Sequence, residues 1–500
     1  MTPILGRRDA ARGTGLNAWF ALISLVAIGI AVETDSVQAL PSFARQTGQP
    51  CGTCHTDFPA LTPYGRSFKL RGYTAGGGPF RTTLFDYAAA AEVLAQYTGM
   101  PLKAPPAAIT TSTSDIWVPP VALMAVVGLT HTQAPLPDPT APFQPNDNVI
   151  PSPVSAFYGG AITEHIGAFA QLTYAGPGPG GPGPFDHNWG WDNTDVRYSN
   201  TGRLGELDFV WGITAHNNPS VQDVWNTTPA WKFPFAASTI ANTPSASTII
   251  DGAFAAHVVG VGAYAWINDF FYLEATGYKT LDFRTLNNLG ANPFDAPGQM
   301  DSVAPYFRLA VEPQWRNHSL QFGAFGMMTK VAPWLMPDVN SAVASITDKY
   351  TDIGVDSQYQ YQGDYYWFTL RASYIHEHLQ LDASSVLFGT NPNDVLNTFR
   401  GEGSLAFGLD NRIVVTAQYF ATWGSFDLNQ FAGLYGTGVP NSNGYIFELA
   451  YIPFGMSKAP LWPWFNVRVG VQYVYYNEFD GDRIHARDNN TFFLYAWFAM

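Results

Sequence analysis

The feature that most constrains this chain is a two-residue alternation of apolar and polar side chains, repeated across its second half. Phe307, Leu309 and Val311 alternate with Tyr306, Arg308 and Glu312; after a tight turn, Leu320, Phe322 and Ala324 alternate with Ser319, Gln321 and Gly323. Further on, Phe368, Leu370 and Ala372 alternate with Thr369, Arg371 and Ser373. Near the end, Tyr445, Phe447, Leu449 and Tyr451 flank Glu448, and Val467, Val469, Val471 and Tyr473 flank Asn466, Arg468 and Gln472. A period of two belongs to strands whose two faces meet different media.

Composition says which media. Only 13% of residues are charged, against roughly 25% in soluble domains, yet after residue 39 no apolar run is long enough for a membrane helix. Few charges without helical spans predict an all-β fold, a transmembrane antiparallel barrel whose outward face meets lipid. Arg and Glu within the strands are then expected to face a watery lumen, because a charge on the lipid face costs about 2–4 kcal/mol at the midplane. Short turns near Glu164, Asn268, Arg316, Glu377 and Asn411 are expected on the periplasmic side. Longer connections, Pro177–Asp192, Asn217–Ile250 and Trp423–Asn443, are expected to face outward. About 17 candidate strands is an odd number, and assigning 349–361 to an outer loop leaves about 16, from Ile116 to Met500. Thr491–Met500 reads as the closing strand. Barrels of this size enclose an aqueous channel.

The N-terminus supplies a route to such a membrane. Arg7, Arg8 and Arg12 precede an apolar stretch from Ala18 to Val32, and Val37-Gln38-Ala39 forms a small-residue cleavage site. Residues 1–39 therefore read as a cleaved signal peptide, and the destination as the bacterial outer membrane. Its charges cancel, so the mature chain keeps the net charge of −14. Nucleic acid is excluded as a partner on that balance, whereas cations are attracted.

Only two cysteines occur, both in Cys51-Gly52-Thr53-Cys54-His55, the attachment signature of a c-type haem. Two thiols add to the vinyl groups and the adjacent imidazole becomes the proximal iron ligand. A redox-active CxxC or half of a zinc site is the alternative, and no second cysteine pair exists to complete the zinc site. The haem segment, residues 40–80, is too short to enclose a cofactor alone. A plug inside the barrel, reached through a connector at 81–115 and walled by the barrel of 116–500, resolves this; a tethered cytochrome below the barrel is the rival.

The distal ligand is open among several residues. Met100 stands in Tyr97-Thr98-Gly99-Met100-Pro101, Met124 falls on the lumen-facing parity of the first strand, and His131 shares the apolar parity near the rim. Packing is the competing role for each methionine. Asp186, His187, Asp192 and Asp195 in one stretch and Asp480, Asp482 and Asp488 in another offer hard oxygen donors to a divalent cation; solvated loop carboxylates are the plainer reading.

Two stretches carry a resemblance. Pro41-Ser42-Phe43-Ala44-Arg45-Gln46-Thr47-Gly48, the CxxCH with Thr56, and Phe58 through Leu70 (FPALTPYGRSFKL) resemble the fused outer-membrane cytochrome–porins of iron-oxidising bacteria. A second match runs from Asn217 to Asp223 and from Trp225 to Trp231, while residues 81–115 are longer than expected for that family. The resemblance implies one covalent haem c, oxidation of extracellular Fe(II) by outer-sphere electron transfer, and a periplasmic cytochrome or similar carrier as acceptor. Outer-sphere transfer needs no acid–base constellation. A solute-conducting porin whose haem plug is structural or sensory is the alternative.

Overall fold

The computed structural model describes residues 40–74, 120–136, 143–174, 189–333, 346–457 and 461–500. One antiparallel sheet dominates it. Its first strands are β1 (Val121–Thr132), β2 (Asn148–Ala161), β3 (Ile166–Tyr174), β4 (Trp189–Leu204) and β5 (Leu207–His216). Then come β6 (Val258–Ile267), β7 (Phe271–Thr280), β8 (Ala304–Val311), β9 (His318–Pro333) and β10 (Asp348–Gln362). The wall is completed by β11 (Tyr366–Gln380), β12 (Asn393–Phe407), β13 (Ile413–Gly424), β14 (Ser442–Tyr451), β15 (Asn466–Glu478) and β16 (Thr491–Ala499). Of the sheet's 18 strands, two are short additions, Gly298–Met300 and Gln314–Trp315, both paired with β9. The other 16 make the wall. β16 pairs with β1 from Thr491↔Thr132 to Ala499↔Met124, so the sheet closes and no strand edge remains.

Alternation in the sequence becomes inside and outside in the barrel. On β8, Phe307 and Leu309 are exposed while Tyr306, Arg308 and Ala310 are buried. Arg371, Glu448 and Arg468 likewise point inward, and Phe322, Leu370, Phe447 and Leu449 outward. An outward apolar face and closed hydrogen bonding are what a hydrocarbon solvent requires, and this is the architecture of an outer-membrane barrel.

Two expectations about strands need correction, and they offset each other. Residues 349–361 are not an outer loop but most of β10, paired along its length with β9 and β11. The chain does not turn near Glu377; β11 continues through it, with Glu377 opposite Asp352 and Leu396. Both errors have one physical cause. Toward the long-loop end, Ile375 and Leu379 point inward while His376 and His378 point outward, so the apolar parity inverts above the lipid zone. On β10, the outward positions include Lys349, Thr351 and Ser357, which blurs its pattern.

Among the described residues, two segments pack inside the lumen, which the expectation of an aqueous channel did not include. From one side enters the segment 40–74, with helices α1 (Pro41–Thr47), α2 (Cys51–Cys54) and α3 (Pro63–Leu70). From the other, residues 217–257 fold inward instead of facing outward, and bury Val221, Trp225, Phe233 and Phe254. An inserted loop must satisfy its own backbone. Asp223 does much of this, accepting from the N–H groups of Trp225, Thr227 and Thr228.

The two filled ends differ. At the long-loop end, Ile249, Ile250, Phe254, Phe325, Met327 and Leu379 belong to a single apolar core. At the short-turn end, the segment is fixed mainly by charge. Arg468 meets Asp57 of the segment and Glu448 of β14, at 2.5 Å from the latter. Arg66 of α3 pairs with Glu312 and donates to Gln360 (2.7 Å) and Ser319 (2.8 Å). Tyr73 donates to Asp195 (2.6 Å), itself paired with Arg197.

Candidate functional site

Local sequence folds the pentapeptide into one tight unit. Cys51–Cys54 makes a single helical turn, and His55 leaves it in extended conformation. Thr62 then clamps that turn: its N–H donates to the Cys54 carbonyl (2.9 Å), its hydroxyl to the Thr53 carbonyl (2.6 Å), and the same oxygen caps α3 through the Gly65 N–H (3.1 Å). Pro63 opens the helix, where its missing N–H is harmless. α3 packs so closely on the turn that a Cβ at Gly65 would lie 2.2 Å from the Cys54 carbonyl oxygen. Only glycine fits there.

Both thiols are buried and free of any disulfide. Burial pushes the Cys54 thiol up to about 12 and raises Cys51 well above the usual thiol value, a Coulomb contribution from Cys54 adding to the latter. They remain protonated at neutral pH. Desolvation lowers His55 to about 4, against smaller opposing effects of the Pro59 and Ala60 backbone, so its imidazole is neutral. Its Nδ1 lies 3.1 Å from the Pro59 carbonyl. Since a carbonyl only accepts, Nδ1 carries the proton and Nε2 is the nitrogen able to bind a metal.

Cys54 and His55 line a cavity of about 330 Å³. Its walls are largely aromatic: Phe58, Phe68, Phe157, Phe169, Trp231 and Trp497. Phe58 packs edge-on against both His55 (5.3 Å between ring centroids) and Trp497 (4.9 Å). Cys54 and an imidazole with Nε2 available stand on the wall of this cavity, while Cys51 is buried one turn away against Trp462; the CxxCH and the apolar wall suit a flat apolar group tied by thioethers and held axially through nitrogen.

The proposed distal residues separate cleanly. Met124 lines the same cavity as His55 and packs in the cluster that holds Phe58 and Trp497. Met100 lies outside the described residues. His131 is exposed at the rim and pairs with Asp147 at 2.7 Å, away from the cavity lining. Of the carboxylates considered for iron access, Asp186 and His187 lie outside the described residues. Asp195 is not a loop residue: it is buried on β4, where it accepts from Tyr73, Arg197 and Thr214. Asp480 is buried too, accepting from the N–H groups of Ser245 and Leu434, so it fixes loops. Asp482 accepts from the N–H groups of Ile484 and His485 in an exposed turn.

The partners of several site residues could not be read from the sequence. Asn226 accepts from the Leu61 N–H (3.0 Å) and Lys69 donates to the Val221 and Asp223 carbonyls, so the inserted loop clasps the segment. Arg468 reaches across more than 400 positions to Asp57. Such partnerships exist only after closure of the barrel.

Fold and site together define a closed membrane barrel carrying a buried CxxCH segment in its lumen. Compared with solved structures, the chain is similar to OmpF of Salmonella typhi in complex with daunomycin, with 10% identity, a TM-score of 0.42, and 76% of this chain covered against 97% of that one. It is similar to an anion-selective porin from Comamonas acidovorans, with 11% identity, a TM-score of 0.40, and 76% and 98% covered. It is also similar to OmpT, an outer membrane protein of Vibrio cholerae in a trimer form, with 10% identity, a TM-score of 0.39, and 76% and 98% covered. No protein-family model and no curated protein matches the chain.

Proposed function

We propose that this barrel resides in the bacterial outer membrane and transfers electrons across it through one covalent haem c held by Cys51, Cys54 and His55. The observation that carries this reading is the placement of the CxxCH: it lies inside the lumen, with Cys54, His55 and Met124 on the wall of one apolar cavity. Cys51 and Cys54 would hold the group by thioethers, His55 through Nε2, and Met124 is the distal candidate among the described residues. Bound there, a haem supplies a one-electron couple whose potential depends on axial ligand, hydrogen bonding and burial. The chain's own residues do the rest. Phe58, Trp231 and Trp497 keep water from the cavity, Pro59 orients His55, and Thr62 and Gly65 hold the CxxCH turn against α3.

Dissolved Fe(II) is the donor we propose, on the resemblance of the two sequence motifs and the net charge of −14, which favours cations. A periplasmic carrier is the acceptor we propose, on the resemblance and because the cavity lining includes Leu123 and Ala499 at the short-turn ends of β1 and β16. The test is to mix the oxidised protein in lipid vesicles with Fe(II) and follow haem absorbance. Reduction in the wild type supports the reading; haem that stays oxidised where Fe(II) is a strong enough donor contradicts iron oxidation.

A second reading is a solute-conducting porin whose haem plug is structural or sensory. Strand number favours it, since barrels of 16 strands commonly leave a channel. The filled lumen weighs against it. Bilayer conductance decides: steady open-channel current from the intact chain supports conduction, and a silent bilayer removes it.

A further inference from the structure

The cavity wall is mostly apolar, with Gln171, Asp223, Asn226 and two lysines, Lys69 and Lys232, among its lining residues. Lys69 is 6% exposed, and its ammonium donates to the carbonyls of Val221 (2.7 Å) and Asp223 (2.8 Å) while lying 4.7 Å from the Trp231 ring centroid. An ammonium has three donors; two meet neutral carbonyls, and no carboxylate among the described residues forms an ion pair with it. Acids nearby are already engaged. Asp223 takes Arg308 (3.3 Å) and three backbone N–H groups. Asp195 takes Arg197, Tyr73 and Thr214. Glu274 accepts from Gln222, Tyr272 and Thr276. Desolvation brings the Lys69 ammonium down to about 7, opposed in part by Asp195.

Lys232 also lines the cavity, with its side chain 39% exposed. It pairs with Asp251, whose other oxygen takes Arg400 at 2.5 Å, so two cations share one carboxylate. Lys69 and Lys232 are thus the two lysines on the cavity lining, and Asp223, the lining carboxylate, is already engaged by Arg308. Resting on the haem reading, we infer that Lys69, together with Lys232 of the same cavity lining, binds the carboxylates of the haem's propionate edge and so fixes its orientation against His55. Lys69 is thus a positioning residue: it touches the cofactor's periphery, not its iron.

Charge near the iron shifts its potential. A cation stabilises the reduced form, which carries one positive charge fewer, so removing it lowers the midpoint potential. The experiment compares the full chain with Lys69→Met and Lys69→Arg, reading covalent haem on denaturing gels and the midpoint potential in detergent. Expected are full haem attachment in all three, a lower potential in Lys69→Met and recovery in Lys69→Arg. A Lys69→Met potential that superimposes on the wild type overturns the inference. Should Lys69→Met fail to assemble a barrel, Lys232→Met takes its place: a lowered potential supports the clamp and an unchanged one overturns it. A wild-type chain without covalent haem overturns the haem reading itself, which the gel shows before any potential is measured.

Discussion

The two ends of the lumen are closed by different physics. At the long-loop end, residues 246–254 of the inserted loop lie on an apolar core that includes Phe254, Phe325 and Leu379. At the short-turn end, the CxxCH segment is held by buried ion pairs, Arg66–Glu312 and Arg468–Asp57. Apolar burial is non-directional and stabilises whatever fits. Buried ion pairs contribute little net stability but are costly to break singly, so they fix position. The haem proposed here, which would sit at a set place relative to its ligands, needs the second kind of closure, whereas the inserted loop needs only the first.

That contrast can be broken by mutation. Replacing both Cys51 and Cys54 by Ala has the largest effect: covalent haem falls to none on a denaturing gel, while the barrel and the apolar lid persist by circular dichroism. Glu312→Gln leaves Arg66 buried without its carboxylate and also removes the full charge accepting from Trp225. It is expected to weaken the segment by about 3–5 kcal/mol, read as faster hydrogen exchange in residues 40–74 and around Trp225, with residues 246–254 of the lid unchanged. Phe254→Ala should reverse that pattern, with a loss of about 3–5 kcal/mol from cavity formation and faster exchange confined to the long-loop end. Uniform loosening in both variants would erase the distinction. Smallest is His131→Ala: an exposed pair with Asp147 is worth about 0–1 kcal/mol, and the haem spectrum should not move.

Much of this fold was legible in the sequence because lipid enforces the alternation. Arg308, Arg371, Glu448 and Arg468 were assigned to the inner face by parity alone, and all are buried there. The signal failed where lipid stops dictating. At Ile375 and Leu379 the inserted loop, not the membrane, selects the apolar side, and a strand looked like a turn. Residues 217–257 misled for the opposite reason: Asn217, Gln222, Asp223 and Asn226 read as a solvated loop, yet their polar groups serve the interior of a filled lumen. At the site, the CxxCH was plain from spacing. Lys69 was not, because a lone cation in a helix looks solvated until its neighbours, Val221, Asp223 and Trp231, are brought around it by the closed barrel.

The most direct measurement is the intact mass of the purified chain, exported by a host with c-type cytochrome maturation, beside the Cys51→Ala/Cys54→Ala variant. Covalent attachment within the lumen predicts a wild-type mass raised by one haem and a variant without it, both folded as barrels. A folded wild-type barrel at the bare polypeptide mass would contradict it.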